Sequence, residues 1–150
     1  MDCEVVDFPL GRIVILCDED RVVRVYFLKD RESVKRSHSI FSKKVAREIK
    51  EYLNGKRKRF TVKFSVNGSE FAKRLIKAVC EIPYGETRSY GDLAKIIDRP
   101  KAARAVGRVM AANRVPIIIP CHRVVKADGS IGGYSAGIDI KRFLLKLEQK

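Results

Sequence analysis

Ten residues, Val115 to Val124, constrain this chain more than any other stretch. Val115-Pro116-Ile117-Ile118-Ile119 is an apolar, β-branched run that must be buried, and it reads as a short strand or extended segment. Pro120 fixes φ, removes an N–H donor and biases Ile119 towards an extended backbone. The thiol of Cys121 is therefore delivered at the end of a stiff, buried segment, with the imidazole of His122 and the guanidinium of Arg123 directly after it. Thiolate is the reactive form of cysteine, and a neighbouring His or Arg favours it. A cysteine that only fills a core has no need of such neighbours. Cys121 is the candidate nucleophile.

The chain is 150 residues long, enough for one ordinary domain or two small lobes, and 45% hydrophobic residues suffice for a packed core. Net charge is +14, spread along the chain rather than held in a tail. Residues 1–64 carry 16 Lys+Arg against 10 Asp+Glu, and residues 65–150 carry 16 against 8. That balance suits a polyanionic partner, although a basic surface can also serve solubility alone. Cys3, Cys17, Cys80 and Cys121 are widely spaced with no CxxC pair, and His38 and His122 complete a poor set for a zinc site. No leader peptide or membrane-length apolar run is visible, so reduced thiols and a cytoplasmic location are expected.

Two lobes are expected. In the first, residues 1–65, Cys3–Phe8, Arg12–Cys17 and Val22–Leu28 are apolar runs with short breaks, a meander of antiparallel strands. Ile40–Leu53 then changes to helical period, with Phe41, Val45, Ile49 and Tyr52 on one face and Lys43, Lys44, Arg47 and Lys50 elsewhere. A further strand is expected at Phe60–Phe64. In the second lobe, residues 66–150, Ser69 caps a helix running to about Glu81 and burying Phe71, Leu75 and Val79. Ser89 and Asp92 form a capping-box pattern for a helix over Tyr90–Ile97. Another helix is expected over Lys101–Ala112, a strand over Arg123–Lys126, and a last helix over Ile138–Glu148 that buries Ile140, Phe143, Leu144 and Leu147. The class is α/β (α+β), with a mainly helical second lobe.

The two helices on either side of Asp98-Arg99-Pro100 read as a helix-turn-helix. The second brings Lys101, Arg104 and Arg108 beside the small residues Ala102 and Ala103. Small side chains permit close approach to a groove, and the cations meet phosphate. The alternative is that the alanines merely pack on the preceding helix. The loop Ile131-Gly132-Gly133-Tyr134-Ser135-Ala136-Gly137 is glycine-rich enough for backbone to come close to a ligand.

Several motifs together resemble the O6-alkylguanine-DNA alkyltransferase family. They are Pro83-Tyr84-Gly85-Glu86-Thr87, Ser89-Tyr90, Ala102-Ala103-Arg104-Ala105-Val106-Gly107, Ile119-Pro120-Cys121-His122-Arg123-Val124-Val125 and Gly133-Tyr134-Ser135. The resemblance is specific over residues 66–150 and rests only on the order of elements over residues 1–65, where it implies a ribonuclease-H-like lobe. It implies a monomeric, single-turnover DNA repair methyltransferase that needs no cofactor. A damaged guanine is flipped from the duplex and its alkyl group passes irreversibly to Cys121.

The same resemblance implies the residue roles. His122 takes the thiol proton through water, Glu148 orients the histidine and Asn113 buttresses the active-site turn. Tyr90 donates to the guanine ring as charge develops. Ser135 bonds the O6 atom and the Val124 carbonyl the exocyclic amine, with Tyr134 and Ala136 in the same pocket loop. Many relatives have Gly where this chain has Ala136, so an extra methyl is expected against bulky adducts. Arg104 enters the duplex in place of the flipped base. Ala102 and Ala103 approach the minor groove, and Lys101 and Arg123 are grouped with them as DNA contacts. Some relatives carry an N-terminal zinc site, which the spacing here does not support. The competing expectations are a helix-turn-helix regulator with Cys121 as a redox or alkylation sensor, and a Cys-His hydrolase.

Overall fold

The computed structural model describes residues 1–30 and 32–149. The chain falls into two compact units, Met1–Ser65 and Val66–Lys150, together a mixed α/β protein.

In the first unit, β1 (Asp2–Phe8), β2 (Gly11–Cys17) and β3 (Val22–Leu28) form an antiparallel sheet in the order β1-β2-β3. Strand alternation sends Cys3, Val5 and Val14 to one face, where Leu16, Tyr26, Leu28 and Val34 close over them. Glu4, Val6, Ile13 and Ile15 lie on the other face, which α1 (Ile40–Leu53) covers with Val45, Ile49 and Tyr52. Gly11 is required at the first hairpin. Its φ is +140°, and a Cβ there would lie 2.2 Å from the Leu28 carbonyl oxygen. The Ser39 cap of α1 is tied to the sheet, since Ser42 donates to Ser39 O and, at 2.6 Å, to buried Glu4.

The strand expected at Phe60–Phe64 does not form; only an isolated bridge joins Val22 to Phe64. A side chain has taken the place of a strand partner. The Thr61 N–H donates at 2.8 Å to the buried carboxylate of Glu48, as does the Thr61 hydroxyl.

The second unit contains α2 (Glu70–Cys80), β4 (Arg88–Ser89), α3 (Tyr90–Ile96), α4 (Ala103–Ala111), a 3₁₀ turn at Cys121–Arg123, β5 (Val124–Val125) and α5 (Ile138–Glu148). Ser69 caps α2 by accepting from the Ala72 N–H, and Ser89 and Asp92 form a reciprocal capping box on α3. β4 and β5 pair in parallel, which fixes the start of α3 beside the segment after Cys121.

Three expectations are corrected here. The α4 helix starts at Ala103, not Lys101, because Ala102 is its N-cap and offers no capping side chain. The strand expected over Arg123–Lys126 shrinks to Val124–Val125, because the Arg123 N–H donates to Pro120 O and closes a 3₁₀ turn. On α5 the fully buried residues are Ile140, Lys141, Leu144 and Glu148, while Phe143 and Leu147 are only half-buried.

Candidate active site

The apolar run before Cys121 is buried as expected but is not a strand. Ile119 N–H donates back to Val115 O at 3.0 Å, and Ile117 sits at φ +74°. For a β-branched residue that backbone costs roughly 1–3 kcal/mol and persists only where its surroundings hold it. Asn113 does the holding. Its Oδ1 accepts the Val115 N–H at 3.0 Å, and its Nδ2 donates to Ile119 O at 3.3 Å and to the Cys121 sulfur at 3.1 Å. One amide side chain thus braces both ends of the turn and touches the thiol.

Cys121 lines a cavity of about 280 Å³ together with Tyr90, Gly107, Met110, Tyr134 and Ser135. Val124 is fully buried directly after the Cys121 turn, and Ala136 follows Ser135 in the glycine loop. Tyr90 projects from the first residue of α3 and passes between two glycines: a Cβ on Gly132 would lie 3.2 Å from its hydroxyl, and one on Gly107 3.9 Å from its ring.

Burial pushes the Cys121 thiol above its ordinary value, against the pull of hydrogen bonds from Asn113 and Tyr134 and the charge of Lys141. The resting group is therefore a thiol, and its proton must leave during attack. The groups that most favour the thiolate are not the His122 and Arg123 that adjoin it in sequence.

His122 and Arg123 turn instead towards Glu148 in the last turn of α5. His122 Nε2 lies 2.7 Å from Glu148 Oε2, and Arg123 grips both carboxylate oxygens at 2.8 and 2.9 Å. The other Arg123 terminal nitrogen donates to Ile82 O at 2.8 Å. Arg123 is only 7% exposed, which corrects its assignment as a DNA contact: its donors face inward. An ionised carboxylate only accepts, so His122 must carry its proton on Nε2, leaving the Nδ1 lone pair free. Nδ1 is buried and finds no hydrogen-bond partner among the described residues. Burial holds the imidazole below its ordinary value despite Glu148, keeping it neutral and able to accept a proton.

The sequence reading does not single out Lys141. It is fully buried on α5, and its ammonium donates to Val124 O at 2.6 Å and Gly133 O at 3.1 Å. It ties the segment after Cys121 to the glycine loop. A periodicity signal did exist, because Lys141, Leu144 and Glu148 share one helical stripe.

On the helix pair, Arg104 is exposed at the second residue of α4, Lys101 is exposed in the preceding turn, and Ala102 and Ala103 are half-buried. Among the described residues no group of three or more His, Cys, Asp and Glu could hold a metal ion. No helix among the described residues is long and apolar enough to cross a membrane.

Residues 70–150 match the family model described as 6-O-methylguanine DNA methyltransferase, DNA binding domain, and residues 1–66 match its ribonuclease-like domain. The chain belongs to the 6-O-methylguanine DNA methyltransferase family. A methylated-DNA–protein-cysteine methyltransferase of Methanosarcina mazei is 44% identical, over 97% of this chain and 95% of the relative. The Mycobacterium tuberculosis OGT in complex with DNA superposes with a TM-score of 0.85 at 37% identity, covering 97% of this chain and 91% of that one. Schizosaccharomyces pombe Atl1, in complex with damaged DNA containing O6-carboxymethylguanine, matches 55% of this chain and 79% of its own at 35% identity and a TM-score of 0.50. These matches give no support to a redox-sensing regulator or a hydrolase.

The Asn113 contacts yield an expected result. Asn113→Ala is expected to lose roughly 1–3 kcal/mol of stability, because buried polar groups of the turn lose their partners. Asn113→Asp keeps the acceptor for Val115 but sets a carboxylate beside the sulfur. It is expected to be the more stable of the two and the slower in alkyl transfer. Equal melting temperatures for both variants and wild type would remove Asn113 as the brace.

Proposed function

We propose that this chain is a DNA repair methyltransferase that takes the alkyl group of O6-alkylguanine in double-stranded DNA onto Cys121, once per molecule. The observation that carries the reading is a buried thiol lining a cavity, followed in the chain by a neutral histidine whose tautomer a buried carboxylate fixes.

The step balances without a cofactor. The Cys121 sulfur forms a bond to the alkyl carbon as the carbon–O6 bond breaks, and that electron pair passes to the guanine. The thiol proton is taken up by His122 Nδ1 through a water molecule, while the guanine receives its proton from the Tyr90 hydroxyl; proton relay between them restores both side chains. Burial holds the Tyr90 phenol above its ordinary value, which keeps it a donor. A thioether has no ready route back to thiol, so the protein is consumed.

The base must leave the duplex to reach a thiol only 5% exposed. Arg104 is suited to fill the gap it leaves. Ala102 and Ala103 allow α4 into the minor groove, with Lys101 on the phosphates. Ser135 would bond O6, with Tyr134 beside it. The Val124 carbonyl, already accepting from Lys141, keeps one lone pair for the exocyclic amine. In this reading the second unit binds DNA and holds the active site, the first supports it, and one copy suffices.

Intact mass after incubation with a duplex carrying one O6-methylguanine tests the proposal. One added methylene per protein, mapped to the Cys121 peptide and absent in Cys121→Ser, is expected. Methyl transfer to another residue, or more than one equivalent repaired per protein, overturns it.

A further inference from the structure

The outward face of α1 carries charge that the reading above does not use. Lys43, Arg47 and Lys50 are exposed at helical spacings of four and three, so they fall within an arc of about 60° at 3.6 residues per turn. Lys44 stands exposed beside them. None of the four makes an ion pair among the described residues. The two acids of the helix are engaged elsewhere: Glu48 is buried against Thr61, and Glu51 holds Arg57 at 3.0 Å.

A helix face built for stability alone would differ. It would set Glu four residues before each Lys and place acids in the first turn, where the helix dipole favours them. The first turn of α1 contains no acid, and Lys43 repels Arg47 one turn on. A local rule broken without compensation inside the fold marks a functional surface. The stripe runs about 10 Å along the axis at 1.5 Å per residue, which spans about three phosphate steps of one DNA strand at about 3.4 Å of duplex axis each.

We propose that Lys43, Arg47 and Lys50 on α1 form a second contact for duplex DNA, made to the phosphate backbone and indifferent to sequence and lesion. The inference rests on the reading of the chain as a DNA repair protein. Its effect is a larger non-specific affinity, which keeps the protein on DNA while it searches.

The test measures binding of undamaged duplex by full-length protein across a potassium chloride series. It compares wild type, K43Q/R47Q/K50Q, and the charge-matched control K35Q/R36Q/K63Q, whose residues are also exposed in the first unit. Gln is a good helix former, and removing like-charge repulsion should hold or raise the melting temperature of the stripe variant. The expected result is a salt slope shallower by roughly 2–3 for the stripe variant, about 0.9 per lost phosphate contact, and unchanged for the control. Methyl transfer from free O6-methylguanine, which needs no duplex, is expected to match wild type.

Equal losses in both variants, or in neither, overturn the proposal. Ile40, 93% exposed, lies on the same side of the helix, so vesicles containing phosphatidylserine are a further arm. Stripe-dependent binding to those vesicles without a change in the DNA slope also overturns it. If wild type gains methyl on Cys121 but its slope ignores the stripe, the stripe alone fails. If wild type neither binds duplex nor gains methyl, the reading beneath it fails.

Discussion

Glu148→Ala is expected to remove about 3–5 kcal/mol from the second unit, the cost of breaking a buried ion pair from one side. The carboxylate takes Arg123 Nε and Nη2, His122 Nε2 and, at 3.3 Å, the Gly85 N–H. Those four donors use about all the lone-pair sites a carboxylate has. Without it Arg123 is a buried cation left with the Ile82 carbonyl and the Tyr84 ring, whose centroid lies 5.7 Å away, and His122 is free to take either tautomer. Total stabilities of domains run about 5–15 kcal/mol, so the loss is a large share. Alkyl transfer is expected to fall roughly 10⁴-fold, as when the carboxylate of a catalytic triad can no longer hold its histidine. Glu148→Gln retains one acceptor but turns an amide N–H towards a donor, and its loss should lie between. The depressed His122 adds a pH dependence. Below its ordinary value of 6.5 the unfolded chain binds a proton that the folded imidazole refuses, so stability declines as pH falls through that value. Denaturant melts at pH 7.5 and 5.5, with single-turnover rates, check each part. An Ala variant as stable as wild type would remove Glu148 from its structural place.

What could be read from the sequence was what local chemistry decides. Ser69, Ser89 and Asp92 announced their helices because a cap acts within three residues. The meander in the first unit followed from alternation and from Gly11, whose position admits no side chain. What escaped depended on partners distant in sequence. Val115–Ile119 has the composition of a strand, and only the amide of Asn113 turns it back on itself. Phe60–Phe64 was lost to a strand by a carboxylate thirteen residues before Thr61. Arg123 in isolation is indistinguishable from a cation meant for DNA, because the group that claims it lies 25 residues later. The Cys-His-Arg adjacency suggested that the cations stabilise the thiolate directly. In the fold, burial raises the thiol and the three residues diverge, which moves the chemistry from a standing thiolate to proton removal during attack.

Lys141→Met is expected to slow alkyl transfer by roughly 10²–10³, the usual effect of deleting a preorganised charged donor, while leaving the fold nearly as stable. The two effects separate because the lysine is costly to bury. Desolvation pushes its ammonium down to about 8, although the neighbouring Cys121 favours the charge. Methionine removes that cost and fills similar space, but it leaves the Val124 and Gly133 carbonyls without their donor, an opposing loss of about 1–3 kcal/mol each. The pH profile identifies the ammonium as the cause. Between about 8 and 10.5 the unfolded chain holds a proton that folded Lys141 has lost, so this group makes wild-type stability rise across that window. The difference in unfolding free energy between wild type and Lys141→Met should rise with it, whatever Cys121 contributes to both. Over the same range the wild-type transfer rate, relative to the variant, is expected to fall as the charge facing the nascent thiolate disappears. Lys141→Arg keeps a charge at high pH and should lose this dependence if it folds. A methionine variant that repairs at the wild-type rate, or whose rate ratio to wild type is flat from pH 7 to 10, would show that Lys141 only fills space. A fall in ratio centred near 8 would make it the charge that readies the thiol for attack.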